Sequence, residues 1–229
     1  MSKKIRVTIL DDHQSIVDGY LFRLNTIIEI EVAATLAFGE ELEPTLAKIP
    51  TDVLLLDINV PTSKDNPNPY PILYTIAKLL DLYPSLYILV ISMHNERGLI
   101  RSVMETGASG YVLKDDQAMI RDLGNVILSV ASGGIVLSQQ AHRLLQKHDS
   151  SLDGEHLSNR QLEALSLCAA YPDWTTADLS KKMSVSNSTV RNLLSGAYLR
   201  LGVHTRLAAV TKARQLGIIT PLSQNTQPR

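Results

Sequence analysis

The chain has 229 residues, 45% of them hydrophobic and 20% charged, which is enough for two domains with apolar cores; disorder is expected only in the polar tail from Ser223. The formal net charge of -1 hides an asymmetry: residues 1–153 hold 13 Lys/Arg against 19 Asp/Glu, a net of -6, and residues 154–229 hold 9 against 4, a net of +5. A single cysteine, Cys168, excludes an internal disulfide framework, and no stretch reads as a signal peptide or membrane span, so a cytoplasmic protein is expected.

The first half alternates strand and helix. Ile5–Leu10 reads as a buried strand closing on Asp11-Asp12, and residues 14–27 have helical spacing with Ile16, Tyr20, Leu24 and Ile27 on one face. A strand over 29–36 and a helix over 39–48 follow. Val53–Leu56, an apolar run bounded by Asp52 and Asp57, reads as a strand buried on both faces. A Pro-rich loop leads to a helix from about Pro71 to Leu82, then a strand over 86–91, a helix over 96–106, a short strand Gly110–Leu113 and a helix through about Ser132. Five βα units predict an α/β fold with a five-stranded, doubly wound parallel sheet.

In such sheets chemistry collects at the carboxyl edge. The first strand leaves Asp11 and Asp12 there, the third Asp57, the fourth Ser92 and the fifth Lys114. Carboxylates this close repel unless a cation lies among them, and hard oxygen donors with room for water suit Mg²⁺. A carboxylate beside Mg²⁺ and an ammonium can act as nucleophile towards a phosphoryl donor.

On Asp11-Asp12, Asp57 with Pro61 four residues on, Ser92, Tyr111 and Lys114, residues 1–125 resemble the flavodoxin-like receiver domain of two-component response regulators. The resemblance implies Asp57 as phosphoacceptor and Asp12 with Asp57 as direct metal ligands. Asp11 would act through water, and the backbone carbonyl of Asn59 would complete the protein ligands. It further implies that Lys114 pairs with phosphoryl oxygens and that Tyr111 swings inward as Ser92 closes on the phosphoryl group. Two departures stand out. The loop after Pro61 is about seven residues longer than usual for the family and carries prolines at 67, 69 and 71, predicting a stiff, extended segment at the active edge. His94, two residues after Ser92, and Asn59 are candidate tuners of dephosphorylation, whereas His13 reads as a turn residue.

Gly133-Gly134 breaks the last helix of this half. Ser138 caps a short predicted helix over 139–147, and residues 148–155 read as a flexible connection, so 126–154 is the expected linker region. From Leu157 the period is helical. Ser158 caps a helix with Leu162, Leu165 and Cys168 inward; Thr175 or Thr176 caps a second through Lys182. After the turn Met183–Ser186, Ser186 caps a third helix, Asn187–Leu201, ended by Gly202, and Thr205–Leu216 forms a fourth. Two short helices joined by a four-residue turn, on a basic background, predict an all-α helix-turn-helix domain.

Leu157-Ser-Asn-Arg160-Gln-Leu-Glu163-Ala-Leu165, then Val185-Ser186 with Thr189-Val190-Arg191, then Leu201-Gly202-Val203 with Arg206 resembles the LuxR-type output domain over about residues 155–219, leaving 220–229 as a tail. Joined to a receiver, this resembles the NarL/FixJ branch of response regulators. The resemblance implies that Arg191, Asn192 and Ser195 face the major groove, where Arg reads guanine and Asn adenine. Thr176, Ser186, Ser188, Thr189 and Arg206 complete the expected DNA-contacting set, mostly through phosphates. Leu193, Gln161 and Ser180 stand where the family often has His, Glu and Ala.

The expected function is a transcription regulator rather than an enzyme, phosphorylated by a histidine kinase at Asp57 with Mg²⁺, binding promoter DNA and dimerising when phosphorylated. Alternatives are a phosphorylation-independent regulator and a protein-interaction module. A phosphatase would want a second acid two residues after its nucleophile, and Asp57-Ile58-Asn59 does not supply one.

Overall fold

Alternating apolar runs and amphipathic helices assemble as the periodicity predicts. The computed structural model describes residues 4–146 and 157–221; the expected flexible connection and the tail from 222 lie outside them. Strands β1 (Ile5–Leu10), β2 (Ile30–Leu36) and β3 (Val53–Leu56) are separated by helix α1 (Gln14–Leu24) and by a 3-10 turn (Gly39–Glu41) running into α2 (Leu42–Leu46). The predicted helix over 39–48 therefore forms in two pieces.

The loop after Pro61 is not merely extended. It folds into an antiparallel hairpin of β4 (Pro61–Ser63) and β5 (Asn66–Pro69). Helices α3 (Ile72–Leu82) and α4 (Arg97–Glu105) flank β6 (Tyr87–Ser92), and β7 (Gly110–Leu113) leads to α5 (Gln117–Arg121) and α6 (Leu123–Ala131). The Gly133-Gly134 break then feeds a two-residue strand, β8 (Val136–Leu137), before α7 (Gln139–Gln146).

The main sheet thus has six strands, not five, in the order β2-β1-β3-β6-β7-β8, with every pairing parallel. β8 escapes a periodicity reading because it is two residues long. It is held on β7 by two backbone bonds: Val136 N donates to Ser109 O and Ser138 N to Tyr111 O, both at 3.0 Å. Central β3 is four apolar residues exposed by 1% or less, as expected of a strand covered on both faces.

The second half is a four-helix unit: α8 (Asn159–Ala170), α9 (Thr176–Met183), α10 (Asn187–Leu201) and α11 (Arg206–Gln215). Ser158, Thr175, Ser186 and Thr205 each accept a hydrogen bond from the backbone N–H three residues on; the caps at Ser158 and Ser186 fall where the sequence places them, Thr175 rather than Thr176 caps α9, and Thr205, read as the first residue of the fourth helix, is its cap. Ser184 closes α9 in the left-handed region at φ 53°, and Gly202 closes α10 at φ 63°. Val190, Leu194, Ala197 and Leu201 form the buried stripe of α10. Cys168 is buried, and burial pushes its thiol up to about 11, away from reactivity.

The two halves touch. α8 packs on α3 and on β5, and one apolar cluster runs through both halves.

Candidate functional site

Parallel strand order puts the ends of β1, β3, β6 and β7 side by side, so the residues just beyond them meet at one edge. Asp57 N donates to Leu10 O at 2.9 Å and Lys114 N to Ser92 O at 2.8 Å, which fixes how far each chain emerges. Asp57 is 4% exposed, and Asp11 is also buried. Lys114 Nζ lies 2.6 Å from Asp11 Oδ2 and 2.7 Å from Asp57 Oδ2. Asp11 Oδ1 also accepts from His13 N at 2.9 Å, and Asn59 N donates to Asp57 Oδ1 at 3.3 Å.

Burial, reinforced by Asp11, holds the Asp57 carboxyl above the usual carboxylate range despite the Lys114 ammonium and the Asn59 N–H. Lys114 is raised as well. Burial pulls its pKa down, but Asp57 and Asp11 together leave it raised, and it stays cationic.

Asp11, Asp12, His13 and Asp57 each offer a ligand atom, all within 4.8 Å of one another. Three hard carboxylates, one of them exposed at Asp12, fit a divalent cation that keeps some of its water. A cation there would favour the ionised, nucleophilic form of Asp57. His13 holds the turn after the acid pair, its carbonyl accepting from Ile16 N and Val17 N, and its Nδ1 lies 2.9 Å from Asp12 Oδ1.

Ser92 is buried, and its Oγ accepts from His94 N at 3.2 Å. Tyr111 is fully buried, its hydroxyl donating to His94 O at 2.7 Å. The aromatic expected to swing inward is already inward here, and His94 serves through its backbone.

On the helical unit, Arg191, Asn192 and Ser195 are exposed on α10, opposite its buried stripe. Ser188 and Thr189 are exposed beside them, and Ser186 Oγ is 2.8 Å from both of their hydroxyl oxygens. Thr176 is half-buried at the start of α9. Arg206 stands apart from the rest, because its guanidinium donates to the Trp174 carbonyl within the same unit. Gln161 is explained by packing: its Oε1 accepts from Ser158 N at 2.9 Å and from Arg200, completing the α8 capping box. Sequence reasoning missed the residues joining the halves, Glu40, Glu43, Asn66, Tyr74 and Lys182, because no local pattern marks a contact made more than 100 positions away.

No family model matches the chain. It is 27% identical to the transcriptional regulatory protein DegU of Brevibacillus brevis, over 93% of this chain and 94% of that protein. It is 26% identical to the transcriptional regulatory protein LnrK of Bacillus subtilis, over 93% and 98%. Among solved structures, RcsB of Salmonella enterica serovar Typhimurium, bound to a promoter in the presence of the phosphomimetic BeF₃⁻, superposes with a TM-score of 0.58 at 26% identity, covering 92% of this chain and 98% of that one. With a carboxylate pocket at the edge of a parallel sheet, a capped helix-turn-helix beside it and relatives that match nearly end to end, the chain is similar to response regulators of the NarL/FixJ type.

Proposed function

We propose that the chain is a cytoplasmic, phosphorylation-controlled transcription factor. A sensor histidine kinase delivers a phosphoryl group to Asp57, and the helical unit binds promoter DNA as a dimer. Residues 1–125 act as the receiver and 155–219 as the output domain.

The observation that carries this reading is the buried Asp57 carboxylate bridged to Asp11 by the Lys114 ammonium, at 2.7 and 2.6 Å. Asp12 and Asp57 would hold Mg²⁺ directly, with Asp11 acting through water and the Asn59 carbonyl completing the set. Held there, such an ion would supply neutralisation of the charge on the equatorial phosphoryl oxygens. Asp57 Oδ attacks phosphorus in line, the bond to the donor's leaving atom breaks, and an acyl phosphate is left on the side chain. Lys114 then pairs with the phosphoryl oxygens, and the Ser92 hydroxyl turns from His94 N to donate to one of them.

Arg191, Asn192 and Ser195 read base edges, while Thr176, Ser186, Ser188 and Thr189 position the helix on phosphates. Arg206 contributes only if it leaves Trp174. Leu207 on α11, 77% exposed, suits the surface a second copy covers on DNA. RcsB, solved as two dimers bound to two parallel DNAs and with promoters in the presence of BeF₃⁻, supports the same behaviour here.

The test is incubation with a small phosphodonor and Mg²⁺, comparing wild type with Asp57→Ala. Label uptake, a doubled mass on gel filtration and tighter DNA retention should all require Asp57. Label on another residue, or DNA retention indifferent to labelling, sinks the reading.

A further inference from the structure

A cleft of about 270 Å³ lies beside the Asp57 pocket, between α1 and α5. α1 gives it Ser15, Ile16, Gly19, Tyr20 and Arg23, and Lys114 and Ile120 complete the lining. Residues 16, 19, 20 and 23 share one side of α1 by helical spacing, so a single helix face builds most of the wall.

Tyr20 is the member that asks for a ligand. It is 3% exposed and its ring packs in the core under the sheet. Yet no protein group among the described residues hydrogen-bonds its hydroxyl, which lies in the field of Asp11, Asp57 and Arg23. Tyr111, the other phenol at this edge, spends its hydroxyl on His94 O at 2.7 Å. A buried hydroxyl left without a partner forfeits free energy until a bound group supplies one.

The rest of the lining says what that group is. Arg23 Nη1 donates to Gly19 O at 2.5 Å, and a Cβ on Gly19 would lie 3.1 Å from the same nitrogen, so the guanidinium lies back over the bare glycine along the cleft. Lys114 commits two of its three N–H groups to Asp11 and Asp57. Two cations and two hydroxyls therefore line the cleft and no carboxylate does, which suits an anionic acceptor. Asp11 and Asp57 stand behind Lys114 and offset the two cations, so one added negative charge is favoured over two. Ile16 and Ile120 give the same cleft apolar walls. At about 30 Å³ for each water-sized volume, it holds roughly nine non-hydrogen atoms.

We propose that this cleft is a binding site for a small monocarboxylate, whose carboxylate accepts from the Tyr20 hydroxyl, Arg23 and the remaining N–H of Lys114 while its apolar body lies against Ile16 and Ile120. Because Lys114 also holds Asp57, an occupied cleft draws the ammonium away from incoming phosphoryl oxygens and slows label uptake. That consequence rests on Asp57 being the phosphoacceptor; the binding does not.

The test uses the full chain with benzoate as probe, and amide NMR without divalent cation reads binding. Benzoate should shift the Gly19, Tyr20 and Ile120 amides saturably. Tyr20→Phe, which keeps the ring in the core, and Arg23→Gln should each weaken it about tenfold, the worth of one hydrogen bond to a charged group. Benzamide, the neutral isostere, and inorganic phosphate should leave those amides in place. Equal binding of benzoate and benzamide, equal binding by wild type and both variants, or saturable phosphate binding there overturns the site. With Mg²⁺ and a small phosphodonor, benzoate should slow label uptake in wild type several-fold more than in Tyr20→Phe, whose uptake without benzoate is unchanged. Binding that leaves uptake untouched overturns the coupling through Lys114 alone. No label at Asp57 in either protein overturns the phosphoacceptor reading, whereas the amide shifts still decide the site.

Discussion

Asp57 is costly to the fold that contains it. Its carboxyl is buried and its pKa is raised, so the folded state binds its proton more tightly than the unfolded chain does. The stability it contributes is present when it is protonated and is lost as pH rises through the folded pKa. Asp57→Asn should therefore stabilise the chain at neutral pH without divalent cation, by on the order of 1 kcal/mol, or about 2–4 °C in melting midpoint for a chain this size. That advantage should shrink in acid, and melting curves at both pH values check it. The same variant should take no label from a phosphodonor. At the other end of the molecule, Arg191→Ala and Asn192→Ala should each cost about 1–3 kcal/mol against the preferred site and little against random duplex, whereas Ser188→Ala should weaken both alike. Competition binding with the two duplexes distinguishes them. Asp11, Asp12, Asp57, Ser92 and Lys114 were all legible as strand-end residues, since the end of a buried strand is visible where polar residues follow an apolar run. The approach of His13 to Asp12 was not, because only the folded turn brings its Nδ1 to 2.9 Å from that carboxylate.

Elements were read well where periodicity and caps agreed. The four output helices begin at Ser158, Thr175, Ser186 and Thr205, because each hydroxyl satisfies an otherwise orphaned N–H. Ser158 with Gln161, like Thr175 with Asp178, completes a capping box, and α8 is the helix on which the two halves meet. Ser158→Ala should cost about 1 kcal/mol of stability, measurable by urea unfolding of the full chain. The hairpin was read only as a stiff segment. Pro61 sits opposite Pro69 and neither has an N–H to give, so the ladder that makes it a hairpin has almost no local signature. β8 was missed for a related reason, since two residues cannot show an alternation, and what makes Val136–Leu137 a strand is the free edge of β7.

For the whole molecule, the halves of opposite charge imply different partners, and the basic half should bind DNA mainly through phosphates. Retention by the activated dimer should fall steeply with salt, by about a thousandfold or more between roughly 50 and 200 mM if it makes six or more phosphate contacts. A titration across that range checks this, and a flat response would count against a phosphate-dominated interface. Charge asymmetry, the order of elements, the strand-end acids and the recognition helix were determined by the sequence alone, because each depends on residues near one another in the chain. How the halves pack was decided only by the tertiary structure. Asn66 meets Ala170 and Tyr74 meets Lys182 across separations of 104 and 108 residues. No periodicity or cap encodes such a meeting; it exists only once both cores have formed and brought their surfaces together.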